Sequence, residues 1–175
     1  VFDLETTGLD PKTCEIIEIA AAIVQNGEVK ERYHRYVKPN QAIPYKITEL
    51  TGISNQTVAD ADRIENIFPA FLDFCGDRPL CAHNADFDVS FLVAAFNKLG
   101  IDRSFCSIDT VEMARALMPQ LPKHRLNNVA DALGLKFNHH RASDDCDVLA
   151  LIFNNFVQRL SSEKGISRVD EINQA

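Results

Sequence analysis

Asp3 and Glu5 stand two residues apart where an apolar start, Val1 to Leu4, runs into Thr6-Thr7-Gly8, a pattern that predicts a strand entering a turn. Residues at i and i+2 of a strand leave the same face, so these two carboxylates sit side by side and repel. Further on, Phe91, Leu92, Ala95, Phe96 and Leu99 form the apolar stripe of a helix starting near Phe87. Stepping back three or four residues from Phe91 and Leu92 lands on Asp88, which faces inward, while the same wheel turns Asp86 outward. A last helix has Leu149, Ile152, Phe153, Phe156 and Leu160 as its stripe, with Asp145 one turn before Leu149 and with Asp144 and Asp147 projecting away. For any one of these acids a cap or a surface position is the ordinary explanation. As a set they sit at the ends of core-facing elements, where each unpaired charge costs several kcal/mol. Hard divalent cations take oxygen ligands, and two of them would balance the four carboxylates. Two such ions about 3.5–4 Å apart activate water and stabilise a leaving oxygen in phosphoryl transfer, which is nuclease chemistry.

Glu18 is a fifth acid in apolar company and reads as structural, hydrogen-bonded between strands. A proton acceptor is also needed, and His139-His140 lies just before the last helix. His140 precedes Asp145 by five residues, which brings an imidazole of ordinary pKa about 6.5 near the fourth acid, placed to take a proton from the attacking water. His83 and Asn84, ahead of the Asp88 helix, read as capping and hydrogen-bonding groups. His34 and His124 have no comparable context.

The elements that must hold these groups follow from pattern. Ile16 to Val24 is apolar apart from Glu18, as a strand buried on both faces would be. Asn26-Gly27 predicts a type I′ turn into Val29 to Val37, so the first three strands form an antiparallel meander. Helices are expected around Ile47 to Leu50, closing at Gly52, and at Ile64 to Cys75, Phe87 to Leu99, Val111 to Leu117, Leu126 to Leu133 and Ala142 to Leu160. Short strands are expected at Pro79 to Ala82 and Phe105 to Ile108. Ser161 to Ala175 is polar without a sustained apolar stripe and reads as a linker.

The 175 residues suit one domain with a good core, and 46% hydrophobic with 25% charged residues excludes a disordered or fibrous chain. The longest aliphatic run, Ile19 to Val24, falls far short of the roughly 20 residues that span a membrane. No secretory signal precedes the acids, so a cytoplasmic location is expected. Five scattered cysteines without a C-x-x-C pair argue against a disulfide framework and a thiolate zinc site, and read as reduced core thiols. With 18 basic against 25 acidic residues the net charge is −7, which disfavours sequence-independent binding of duplex DNA through Lys and Arg. A chain starting at Val1 reads as part of something longer.

Three segments together resemble the DEDDh 3′–5′ exonucleases of the ribonuclease H-like superfamily: Asp3-Leu4-Glu5-Thr6-Thr7-Gly8, His83-Asn84-Ala85-Asp86-Phe87-Asp88 and His140-Arg141-Ala142-Ser143-Asp144-Asp145. The resemblance covers about residues 1 to 160. It implies an α/β, ribonuclease H-like fold, a five-stranded mixed sheet (the antiparallel meander plus two parallel strands) flanked by helices. It implies Asp3, Glu5, Asp88 and Asp145 as ligands of two Mg²⁺ or Mn²⁺ ions and His140 as general base. It also implies that Leu4, Thr6, Thr7 and Leu9 surround the terminal nucleotide, with Leu9 wedging the last two bases and Phe87 lining the pocket beside Asn84. Against those contacts stand the plainer readings that Thr6 to Gly8 only make the turn and that Phe87 is core.

Within the family, His139-His140-Arg141-Ala142, Leu50-Thr51-Gly52-Ile53 and the tail Lys164-Gly165-Ile166 with Val169 to Asn173 look most like proofreading exonuclease domains of PolC-type bacterial replicative polymerases. That likeness implies a frayed or single-stranded DNA 3′ end as substrate. Its implied partners are polymerase domains of the same parent chain, reached through 161–175, and other replisome subunits. The departure is at the start, where such domains have several residues ahead of the first catalytic Asp and only Val1 and Phe2 stand here. Two rivals share much of this pattern: a DEDDh ribonuclease acting on RNA 3′ ends, and a domain that keeps the fold only as a scaffold or docking module.

Overall fold

The structure, a computed structural model, describes residues 1–136, 141–166 and 168–172, with the backbone alone at 169 and 170. Its centre is β2 (Ile16–Gln25), buried on both faces from Ile16 to Ala22 as its apolar run requires. β2 pairs antiparallel with β1 (Phe2–Thr6) on one side and β3 (Glu28–Tyr36) on the other. The β2–β3 connection has φ of 54° at Asn26 and 78° at Gly27, the two left-handed residues of the expected type I′ turn.

Register decides what each face carries. Asp3 lies opposite Ala20 and Glu5 opposite Glu18, so Asp3, Glu5, Glu18, Ala20 and Ala22 share one face of the sheet. On that face runs α6 (Ala142–Lys164), whose Ala142 and Cys146 pack against Ala20 and Ala22. Small residues on both sides let the helix start lie close to the strands, directly over the β1 acids. On the opposite face Phe2, Leu4, Ile19 and Ala21 meet Phe68 and Phe71 of α2 (Ile64–Cys75) and Leu92 and Phe96 of α3 (Ala85–Leu99). Burying each such aromatic or aliphatic side chain contributes roughly 1.5–3 kcal/mol, so β1 is clamped from behind while its acids face forward.

β4 (Leu80–Ala82) and β5 (Ser107–Asp109) form a parallel pair with β4 beside β1. The five expected strands are therefore present among the described residues as a three-stranded antiparallel ladder and a two-stranded parallel one. α4 (Thr110–Leu117) and α5 (Leu126–Ala132) pack on α6 through Met113, Leu117, Val129, Ile152 and Phe156. α1 (Tyr45–Thr51) lies at the β3 side, where Ile43, Ile53 and Val58 cover Ile17.

Two expectations shift. α6 continues a turn past Leu160 to Lys164 and ends at left-handed Gly165, and after it Ile166 and Ile172, the last residue of α7 (Val169–Ile172), pack back on the α4–α6 core. Polar Ser161 to Lys164 carry no stripe of their own, but extending an existing helix costs little. Of the cysteines, which are all free, only Cys75, Cys81 and Cys146 are core, their thiols pushed up to about 11, 12 and 12 by burial; Cys14 is half-buried and Cys106 exposed. Among the described residues no helix is long and apolar enough to cross a membrane.

Candidate active site

Carboxylate oxygens of Asp3, Glu5 and Asp145 lie within 4.8 Å of one another. Two come from the forward face of β1 and the third from the first turn of α6, brought together by the Ala20/Ala22 packing described above. Asp88 borders this group from α3. It is buried, and its Oδ1 accepts the Leu4 N–H at 3.1 Å, so an edge amide of β1 fixes the carboxylate and ties α3 to the strand. Asp86, on the same helix, is exposed, and Asp147 points away to pair with Arg32 of β3 at 2.8 Å.

The electrostatics record the crowding. Burial, then Asp145, Glu18 and Asp88, push the Glu5 carboxyl up to about 8. Asp3 is raised well above the ordinary carboxylate range by burial and by Asp88, Asp145, Glu5 and Glu18. Asp88 is pushed up to about 8 by burial, against the pull of the Leu4 amide and with a small push from Asp109. Among the described residues no cationic side chain lies within ion-pair distance of Asp3 or Glu5. An all-oxygen donor set that repels itself in this way fits a hard divalent cation.

Glu18 stands one layer behind. It is fully buried, its Oε1 lies 2.6 Å from His34 Nε2, and its Oε2 accepts the Ala142 N–H at 3.2 Å. The start of α6 has no side-chain cap of its own, so Glu18 satisfies one of its free amides and pins the turn that carries Asp145. The structural reading of Glu18 holds, with its bonds running to β3 and α6. His34 was invisible from spacing because its partner is sixteen positions away and only the β2–β3 ladder joins them.

A cleft of about 600 Å³ opens in front of the acids. Leu4, Asn84 and Phe87 line it together with Asp3, Glu5, Asp88 and Asp145; Phe87 is half-buried and packs on Phe91 with ring centroids 5.1 Å apart. Thr6, Thr7 and Leu9 do not line it. The Thr6 hydroxyl donates to the Gly8 carbonyl at 2.6 Å, and Thr7 Oγ1 accepts the Glu15 N–H at 2.9 Å, so both build the turn. Gly8 is needed there because a Cβ would meet Cys14 Sγ at 2.6 Å. Leu9 stands 84% exposed. Asn84 makes no side-chain cap; it precedes α3 in the left-handed conformation, φ 70°, and its N–H donates to Asp109 Oδ1 at 2.9 Å. His139 and His140 fall outside the described residues.

Part of the cleft lining is basic: Arg115, Lys123, His124 and Arg125 contribute to it. These side chains are split between α4 and the loop that follows it, and a net charge of −7 averages them away. His83 anchors that loop, Nε2 donating to the His124 carbonyl at 2.8 Å while Nδ1 meets the Thr110 hydroxyl at 2.8 Å.

A family model described as exonuclease matches residues 1–153. The PolC-type DNA polymerase III of Thermotoga maritima is 41% identical over 174 residues, covering 98% of this chain and 13% of that protein. The chain thus spans a small fraction of that relative. Among solved structures the fold resembles Exonuclease X in complex with 5′ overhanging duplex DNA, with a TM-score of 0.77, 24% identity, and coverage of 99% of this chain and 96% of the other. It also resembles the nuclease domain of 3′hExo, a DEDDh family member, bound to rAMP, with a TM-score of 0.77, 20% identity, and coverage of 95% and 92%.

Proposed function

This chain belongs to the exonuclease family, and on that premise we propose that it removes 5′-mononucleotides, 3′ to 5′, from single-stranded or frayed DNA ends, as the proofreading domain of a PolC-type DNA polymerase III. The observation that carries this reading is the convergence of Asp3, Glu5 and Asp145, with Asp88 beside them, at the floor of an open cleft. Those four residues would hold divalent cations, Mg²⁺ or Mn²⁺. Bound there, the ions would supply activation of water and neutralisation of the charge that develops on the leaving oxygen.

The chain's own groups do the rest. Phe87 gives the terminal nucleotide an apolar surface, Leu4 borders it from β1 with its side chain buried behind the strand, and Asn84 adds a polar edge. Leu9, exposed to solvent, is available to wedge between the last two bases, while Thr6 and Thr7 hold the turn that precedes it. His140, five residues ahead of Asp145, takes the proton of the attacking water. Because the relative is about eight times longer than the matched stretch, polymerase domains of the same parent chain are the proposed partners, with other replisome subunits beyond them. Tethering would raise the local concentration of the primer end for a domain of net charge −7.

Mispaired ends fray more often than paired ones, so fraying itself selects errors. Digestion of 5′-labelled primers should therefore be faster on mismatched than on matched DNA ends and slower on RNA. Equal rates on matched and mismatched ends would remove the proofreading role, and a preference for RNA would favour the ribonuclease.

A further inference from the structure

We infer that Lys123 and Arg125, with Arg115 beside them, form a phosphate-binding wall for the strand just upstream of the bond being cut. This rests on reading the acidic cleft as a nuclease site, and it concerns the basic residues that line the same cleft. The scissile phosphate sits over acids and needs cations to approach them. The next phosphates of the same strand carry equal charge, and must leave the cleft past side chains that attract them or past more carboxylate. The wall formed by Arg115 and residues 122–126 is the cationic side of the same 600 Å³ cleft.

Three features make this wall a built surface. The loop is fixed from within: His83 donates to the His124 carbonyl at 2.8 Å, His124 Nε2 donates to the Met118 carbonyl at 3.0 Å, and the Leu121 N–H donates to the same carbonyl at 3.1 Å. These bonds use backbone and imidazole and leave the charged ends of Lys123 and Arg125 uncommitted. Both side chains are exposed, and among the described residues no carboxylate lies within ion-pair distance of either. Leu126, immediately after, is buried against the α6 core, so the pair is rooted at its C-terminal side. Arg115 differs, because it pairs with Glu112 one turn earlier and so adds less. His83 acts through the loop: it is a positioning residue that joins the end of β4 and the start of α4 to the wall.

On single strands each lysine– or arginine–phosphate contact contributes about 0.7 to the slope of log affinity against log salt, so at about 0.1 M salt two contacts are worth about 25-fold. The test is fluorescence anisotropy of a labelled oligothymidylate with metal-free protein in EDTA, from about 50 to 300 mM KCl. Lys123→Ala/Arg125→Ala should lower affinity by about 25-fold near 0.1 M and reduce the slope by about 1.4, while Lys123→Arg/Arg125→Lys keeps the wild-type slope. An unchanged slope in the alanine pair, with its melting temperature intact, would overturn the wall. So would loss of the slope in the charge-conserving pair, since that would mean the loop's shape and not its charge is at work. A separate arm follows p-nitrophenolate release by wild type from the p-nitrophenyl ester of thymidine 5′-monophosphate with Mn²⁺. That substrate has no upstream phosphate, so failure to cleave it marks failure of the nuclease reading itself, and with it the wall's purpose, whereas cleavage with an unchanged slope rejects the wall alone.

Discussion

Neutralising Glu5 should stabilise the metal-free protein, by an amount set by pH. Its carboxyl is raised from 4.5 to about 8 in the fold, chiefly by burial and then by Asp145, Glu18 and Asp88. A group whose folded pKa is raised favours the protonated folded state. Its stability contribution is complete below about pH 4.5, falls as pH rises from there, and is fully lost above about 8. At about 1.4 kcal/mol for each tenfold change in proton affinity, the ceiling is about 5 kcal/mol. Water in the open cleft screens part of this, so about 2–3 kcal/mol is expected. For a domain of this size that corresponds to a melting temperature about 5–10 °C higher for Glu5→Gln than for wild type at pH 8 in EDTA. At pH 4.5 the difference should shrink towards zero, because the wild-type carboxyl is then largely protonated. Millimolar Mn²⁺ should raise wild type by ligand linkage and raise the variant much less. Calorimetry across that pH range decides the matter. A Gln variant that melts at or below wild type at pH 8 in EDTA, or one with the same offset at both pH values, would refute the crowding argument.

Replacing His140 with Ala should lower turnover by about 10²–10⁴ while Mn²⁺ titration still shows binding, and loss of metal or a larger effect from His139→Ala would reassign the base. Glu18→Ala should cost about 1–3 kcal/mol in urea denaturation, because the Ala142 N–H loses its buried acceptor. Glu18→Gln keeps an acceptor there and should lie near wild type, and equal losses in the two variants would show that the bond to α6 contributes little.

What the chain discloses before folding is its local periodicity. The helical wheel separated buried Asp88 from exposed Asp86, and the strand period put Asp3 and Glu5 on one face, because both tests need only neighbours. Asn26-Gly27 announced its turn for the same reason. Long-range register was not legible. The Glu18–His34–Ala142 linkage depends on how β3 and α6 dock on β2, and the basic wall depends on the loop after α4 being tied to His83 at the end of β4. Thr6 and Thr7 show the opposite difficulty: the resemblance marks them for substrate and their residue types for a turn, and their hydroxyls are committed to the turn. The end of α6 is not legible in the sequence because polar Ser161 to Lys164 continue the helix without an apolar stripe of their own.

We propose that the cluster of Asp3, Glu5, Asp88 and Asp145 is a metal-dependent site for shortening DNA from its 3′ end. Its most direct test is digestion of 5′-labelled single-stranded DNA by the purified chain, with Mn²⁺ and with EDTA, alongside Asp145→Asn. A ladder of progressively shorter labelled strands and free 5′-mononucleotides is expected with wild type and Mn²⁺ only. Cleavage that persists in EDTA or in Asp145→Asn, or label released as a mononucleotide from the 5′ end, would contradict it.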